Sequence, residues 1–168
     1  MLNLDAVAEK VSSSVEQSPC AALRAASRAV TQLYDLVLAP TELKATQFVA
    51  LHAIDEAGEI AQCQFARDHA VAVETLSRRF SGLRRKGYLQ VRRGDRHGER
   101  IYSLTEQGRQ ALQNALPYWE RAEDRFRKAL GSDDWNAMLL LLERIRVAAV
   151  RAEEMRTNNH AHEQSAPE

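Results

Sequence analysis

Two cysteines in 168 residues, Cys20 and Cys63, are too few to frame a disulfide-stapled fold, and neither has a neighbour at zinc-ligand spacing. Both are expected to be thiols in a reducing compartment. Long apolar runs are missing too: nothing approaches the roughly 20 residues that cross a bilayer, and the opening MLNLDAVAEKVSSSVEQ has no signal-peptide core. A cytoplasmic location without membrane contact is the expectation. There is no glycine-rich phosphate loop, no Ser/His/Asp signature and no helical histidine pair at metal spacing. Neither an enzyme nor a protein with a cofactor or metal is therefore expected. Finally, net charge is absent, since 23 basic side chains balance 23 acidic ones. The length fits one domain, or a compact binding domain with helices that need a partner.

What is present departs from that balance in one place. From Arg78 to Arg100 nine basic residues (Arg78, Arg79, Arg84, Arg85, Lys86, Arg92, Arg93, Arg96 and Arg100) face only Asp95 and Glu99. A neutral chain with one basic patch directs its field at a polyanion, and phosphates are the common one. The patch has an internal order. Val73, Leu76, Phe80 and Leu83 repeat at three-to-four spacing, which gives an amphipathic helix that exposes Glu74, Ser77, Arg78, Arg84 and Arg85. Gly87 is placed to close that helix in the left-handed conformation. Two short strands follow, around Tyr88, Leu89, Val91 and around Ile101, Tyr102, Leu104, with turn residues from Gly94 to Gly98 between them. A basic helix followed by a basic hairpin predicts a mainly α fold with a small β-hairpin wing, a winged helix-turn-helix.

Upstream, Ser18-Pro19 is a helix start, and the pattern Leu23, Ala26, Val30, Leu33, Tyr34, Val37 predicts a helix to Leu38 before Pro40. A second helix is expected over about 45–57, with Thr41 the nearest good cap, and a short third over about 62–69. Downstream, Thr105 caps a helix to about Leu130 in which Pro117 predicts a kink. Ser132 caps the last helix, expected to end near Met155. Its apolar band, including Trp135, Leu139, Leu141, Leu142, Ile145 and Val150, is wider than one face requires, so a second subunit is its expected cover. The polar tail TNNHAHEQSAPE is expected to be disordered.

The Gln47-Phe48 pair with Leu51, the Leu83-x-x-x-Gly87-Tyr88-Leu89 passage, Arg92-Arg93 and Leu104-Thr105-x-x-Gly108-Arg109 together resemble the multiple-antibiotic-resistance regulator (MarR) family, over about Pro19 to Met155. The run Ala29-Val30-Thr31-Gln32-Leu33-Tyr34-Asp35 resembles a branch with a cysteine at the start of the first helix, where Cys20 stands. The resemblance implies a homodimer held by its first and last helices. It would bind a pseudo-palindromic double-stranded DNA operator as a transcriptional regulator, expected to be a repressor that an effector releases. The chain then divides into a flexible segment over 1–18, a dimerisation helix over 19–40, the winged DNA-binding domain over 41–105, dimerisation helices over 106–156 and a disordered tail over 157–168. The family commonly has a threonine cap where this chain has Ala61, a glycine at Ala70 and an aspartate or asparagine at Ala72.

In a helix-turn-helix the second helix lies in the major groove, so Glu74, Thr75, Ser77, Arg78 and Arg79 are the expected neighbours of base edges. Arg92, Arg93, Arg96, His97 and Arg100 on the hairpin are expected at phosphates or in the minor groove. Cys20 is a candidate redox sensor, because a helix N-terminus favours the reactive thiolate, with a small buried apolar residue as the alternative. A small aromatic or anionic effector, or an oxidant, would be the releasing agent. Tyr34, His52, Trp119 and Arg24 have suitable chemistry for such an effector. The rival reading is a dimeric helical interaction protein whose winged domain binds protein rather than DNA.

Overall fold

Pro19 occupies the first position of helix α1 (Pro19–Leu38), where its missing N–H costs no hydrogen bond. The structure, a computed structural model, describes residues 18–96 and 98–163. The segment expected to be flexible therefore lies outside the described residues up to residue 17, as do His97 and residues 164–168. Ser18 makes no side-chain cap, against expectation; its carbonyl accepts the Ala22 amide at 3.0 Å. After α1 the chain makes a 3₁₀ turn (Ala39–Thr41) and enters α2 (Ala45–Ala57). The cap expected from Thr41 comes instead from α1. The Ala45 amide donates to Asp35 Oδ1 at 2.7 Å, while Thr41 Oγ1 is bonded to the Leu38 carbonyl at 2.8 Å.

Gly58 turns the chain at φ +69° into β1 (Glu59–Ala61), which leads directly into α3 (Gln62–Asp68) and α4 (Val73–Arg85). Strands β2 (Leu89–Arg93) and β3 (Arg100–Leu104) follow. The sheet is antiparallel in the order β1-β3-β2, with Ile60 opposite Tyr102 and Val91 opposite Tyr102. The expected two-stranded hairpin is thus a three-stranded sheet. A strand of three residues is too short to carry a readable alternation, and β1 owes its form to pairing with β3.

Leu76, Phe80 and Leu83 of α4 are fully buried, and Phe80 meets Tyr102 of β3 edge-on at 4.6 Å and Phe65 of α3 at 5.2 Å. That contact seats α4 on the sheet and turns its arginines outward. Val73 does not join the stripe; it stands at the helix start and is exposed. Two amides close α4 behind Gly87 (φ +75°): Gly87 N–H on the Arg84 carbonyl at 2.9 Å and Tyr88 N–H on the Leu83 carbonyl at 3.0 Å. Thr105 then caps α5 (Glu106–Leu130), its Oγ1 accepting the Gly108 amide at 3.0 Å and donating to the Gly87 carbonyl at 2.6 Å.

Helix α5 continues through Pro117 without interruption, and α6 spans Ser132–Glu163. The last helix therefore runs past Met155, so that residues 157–163 of the expected disordered tail are helical. The described residues form two compact units, divided between Glu123 and Asp124 inside α5. Within the second, Trp135 is buried against Phe126, ring to ring at 5.6 Å, and under the Arg127 guanidinium at 4.9 Å. Among the described residues no helix is long and apolar enough to cross a membrane.

Candidate nucleic-acid interface

The outer face of α4 carries Glu74, Thr75, Arg78, Arg79, Arg84 and Arg85, all exposed. The buried stripe of Leu76, Phe80 and Leu83 fixes the rotation of the helix, and Arg79 also borders a cavity inside the first unit. Ser77 is different. It is half-buried and accepts a hydrogen bond from Gln62 Nε2 at 2.5 Å, while the same amide reaches the Val73 carbonyl at 3.4 Å. Gln62 is the one buried polar or charged side chain among the described residues, so Ser77 joins α3 to α4 rather than facing outward. No spacing signal in the sequence marks that pair, because its members come from different helices.

On the wing, Arg93, Arg96 and Arg100 are exposed, and His97 lies outside the described residues. Arg96 and Arg100 line a groove with Val73 at the start of α4 and Cys63 on α3, which brings the wing and the N-terminal end of α4 together. A second groove is lined by Arg84, Arg85 and the β2 residues Leu89, Gln90 and Val91. Arg92 is held elsewhere: its Nη2 lies 2.6 Å from Glu59 Oε2, with Nε 3.3 Å from both carboxylate oxygens. The hydrogen bond from Arg92 holds the Glu59 carboxyl below the usual carboxylate range, and Glu59 raises Arg92 in turn. Among the described residues Arg92 is the one member of the nine-residue patch in an ion pair, while Lys86 Nζ donates to the Glu42 carbonyl at 2.7 Å.

A cavity of about 390 Å³ lies within the first unit, walled by Val30, Tyr34, Val49, Phe65, Leu76 and Trp119, with Thr31, Thr46, His69 and Arg79 as its polar groups. Trp119 stacks on Phe48 at 4.4 Å and meets Tyr34 at 4.6 Å. Of the four residues with suitable effector chemistry, the cavity contains Tyr34 and Trp119. Arg24 and His52 are not in it; His52 Nδ1 is 3.4 Å from Glu56 Oε2 on the surface of α2. Arg79 and His69 escape a reading of the sequence because the cavity assembles from α1, α2, α3, α4 and α5. Cys20, in the first turn of α1, is exposed in the single chain, and Cys63 is exposed as well.

No protein-family model matches the chain, and no curated protein does. Solved structures do. The transcriptional regulator MosR of M. tuberculosis, in complex with DNA, is similar at 30% identity and a TM-score of 0.72, over 80% of this chain and 97% of MosR. A second crystal structure of MosR matches at 31% identity and a TM-score of 0.71, over 82% of this chain and 99% of MosR. The transcriptional repressor CouR, bound to a 23-mer DNA duplex, is similar at 25% identity and 0.70, over 79% and 94%.

Proposed function

We propose, from the premise that this chain belongs to the MarR family of winged helix-turn-helix regulators, that it acts as a homodimeric repressor binding a pseudo-palindromic DNA operator. The observation that carries this reading is the outer face of α4, where four arginines stand free above a fully buried stripe of Leu76, Phe80 and Leu83. A helix held this way can lie in the major groove, where Arg78 or Arg79 can bond O6 and N7 of a guanine together. Glu74 and Thr75, at the exposed N-terminal end, have the chemistry to meet cytosine N4 and several other base groups. Arg93, Arg96 and Arg100 then meet phosphates or the minor groove beside it, as His97 would from its place in the sequence. Such a regulator works in the cytoplasm.

The dimer follows from what α6 leaves uncovered. Leu139, Leu140, Leu141, Leu142, Ile145 and Val150 are all exposed, and a second copy of the chain is the cover that a symmetric reader of a palindrome supplies. The effector reading rests on the 390 Å³ cavity, a size in the usual range for small-molecule sites. Its aromatic walls and single guanidinium suit a small aromatic acid. Arg79 belongs to α4, so an acid bound there would draw charge away from DNA. Oxidation at the exposed Cys20 is a separate route to release.

Selection of bound sequences from random duplexes, followed by fluorescence anisotropy on the winner, tests the function. Salt-dependent binding that prefers the selected duplex is expected; equal affinity for every duplex, or none, would refute it. Treating wild type and Cys20→Ser with an organic hydroperoxide separates the routes of release. If both lose DNA equally, Cys20 is not the sensor.

A further inference from the structure

The Glu59–Arg92 pair reaches from one edge strand of the sheet to the other. Glu59 stands opposite Ser103 and Arg92 opposite Ile101, so both lie on the face of the sheet turned away from Tyr102 and span β3. Gln90 Nε2 donates to Ser103 Oγ at 3.1 Å on the same face, and Arg92 Nη1 is 3.4 Å from the Arg93 carbonyl. Both partners of the ion pair are about half exposed, at 54% and 51% of the side-chain surface. Exposed pairs contribute little to stability, so an energetic reason for this one is weak. Its effect on charge is larger. A carboxylate meets a guanidinium through the same forked contact that a phosphate uses, and the two anions compete for it.

We infer that Glu59 is a positioning residue that holds Arg92 as a strut across the sheet and keeps this cation off the duplex. The wing's phosphate contacts are left to Arg93, Arg96 and Arg100. This rests on the DNA-binding reading above and assigns within it which wing arginine does not touch DNA. Freed from Glu59, Arg92 would add a contact that carries no sequence information, so binding would tighten more on unrelated duplexes than on the operator.

The test is the salt dependence of binding by the full chain, on the selected duplex and on an unrelated one, for wild type, Glu59→Gln, Arg92→Gln and the double variant. Each phosphate contact contributes about 0.9 to the slope of log affinity against log salt, or about 1.8 for the two protomers of a dimer. Glu59→Gln should steepen the slope by about 1.8, an extra twelvefold or so over a fourfold change in salt, and should narrow the preference for the selected duplex. Arg92→Gln and the double variant should both keep the wild-type slope. The double variant separates capture of Arg92 from the mere loss of a negative charge. If Arg92→Gln flattens the slope by that amount, Arg92 already contacts phosphate and the inference fails. It also fails if Glu59→Gln changes nothing, or changes the slope equally with and without Arg92. Should Glu59→Gln not fold, the Arg92→Gln slope alone decides. Wild type that binds no duplex would instead overturn the DNA-binding reading itself.

Discussion

Ala70 sits at φ +48°, in the left-handed region that a side chain with a Cβ resists. It closes α3 as Gly87 closes α4: its amide is on the Arg67 carbonyl at 3.2 Å and the Val71 amide on the Ala66 carbonyl at 2.9 Å. Relief of strain exceeds the added freedom of the unfolded chain at such a position, so Ala70→Gly should raise stability by up to about 1 kcal/mol in urea denaturation. A lower midpoint would contradict this. Gly87 was readable as a helix stop because glycine announces itself, whereas Ala70 stood out only against the pattern of a family. Ser77→Ala should cost about 1 kcal/mol or more by leaving the buried Gln62 amide one partner short. The same denaturation measures it. For Glu59 the sign of the pH effect follows from its lowered value. A carboxylate held below its unfolded value contributes fully above that unfolded value and loses its contribution as pH falls through the lowered one. The slope difference between wild type and Glu59→Gln should therefore be constant from about pH 6 to 8, and drift over that range would contradict the assignment.

Between α4 and α5 one threonine does two tasks, capping the later helix and holding the Gly87 carbonyl behind the earlier one. Gly108 lies in the same junction, where an added Cβ would collide with the Tyr88 carbonyl oxygen. Backbone cannot yield there cheaply. Gly108→Ala should cost about 1–3 kcal/mol and weaken DNA binding by shifting β2 relative to α4; unchanged thermal unfolding would argue against the close approach. Thr105, Gly87 and the stripe of α4 were legible because each acts through neighbours within a turn or two of chain. The third strand and the Asp35 cap on α2 were not, because β1 depends on a partner some forty residues away and Asp35 lies ten residues before the amide it accepts. The polar tail misled for another reason. Few apolar residues suggested disorder, yet no glycine or proline interrupts the chain from Ser132 to Ala166, and α6 continues to Glu163.

At the scale of the whole molecule, the reading needs two copies. Leu140 and Ile145 belong to the exposed apolar band of α6, so replacing both with glutamate should yield monomers in sedimentation equilibrium and weaken operator binding at least tenfold. A dimer that persists would place the interface elsewhere. The basic patch was readable in full, but its division of labour was not: the fold assigns Ser77 to α3, Arg92 to Glu59 and Lys86 to the Glu42 carbonyl, and among the described residues leaves the remaining arginines of the patch free of ion pairs. Those free cations are the central claim. The direct test is anisotropy of a labelled duplex across ionic strength for wild type and for Arg78→Ala with Arg96→Ala. Affinity should fall steeply with salt for wild type, and the double variant should bind far more weakly with a flatter slope while its thermal unfolding is unchanged. Equal affinity and equal slope for the two proteins would contradict the account.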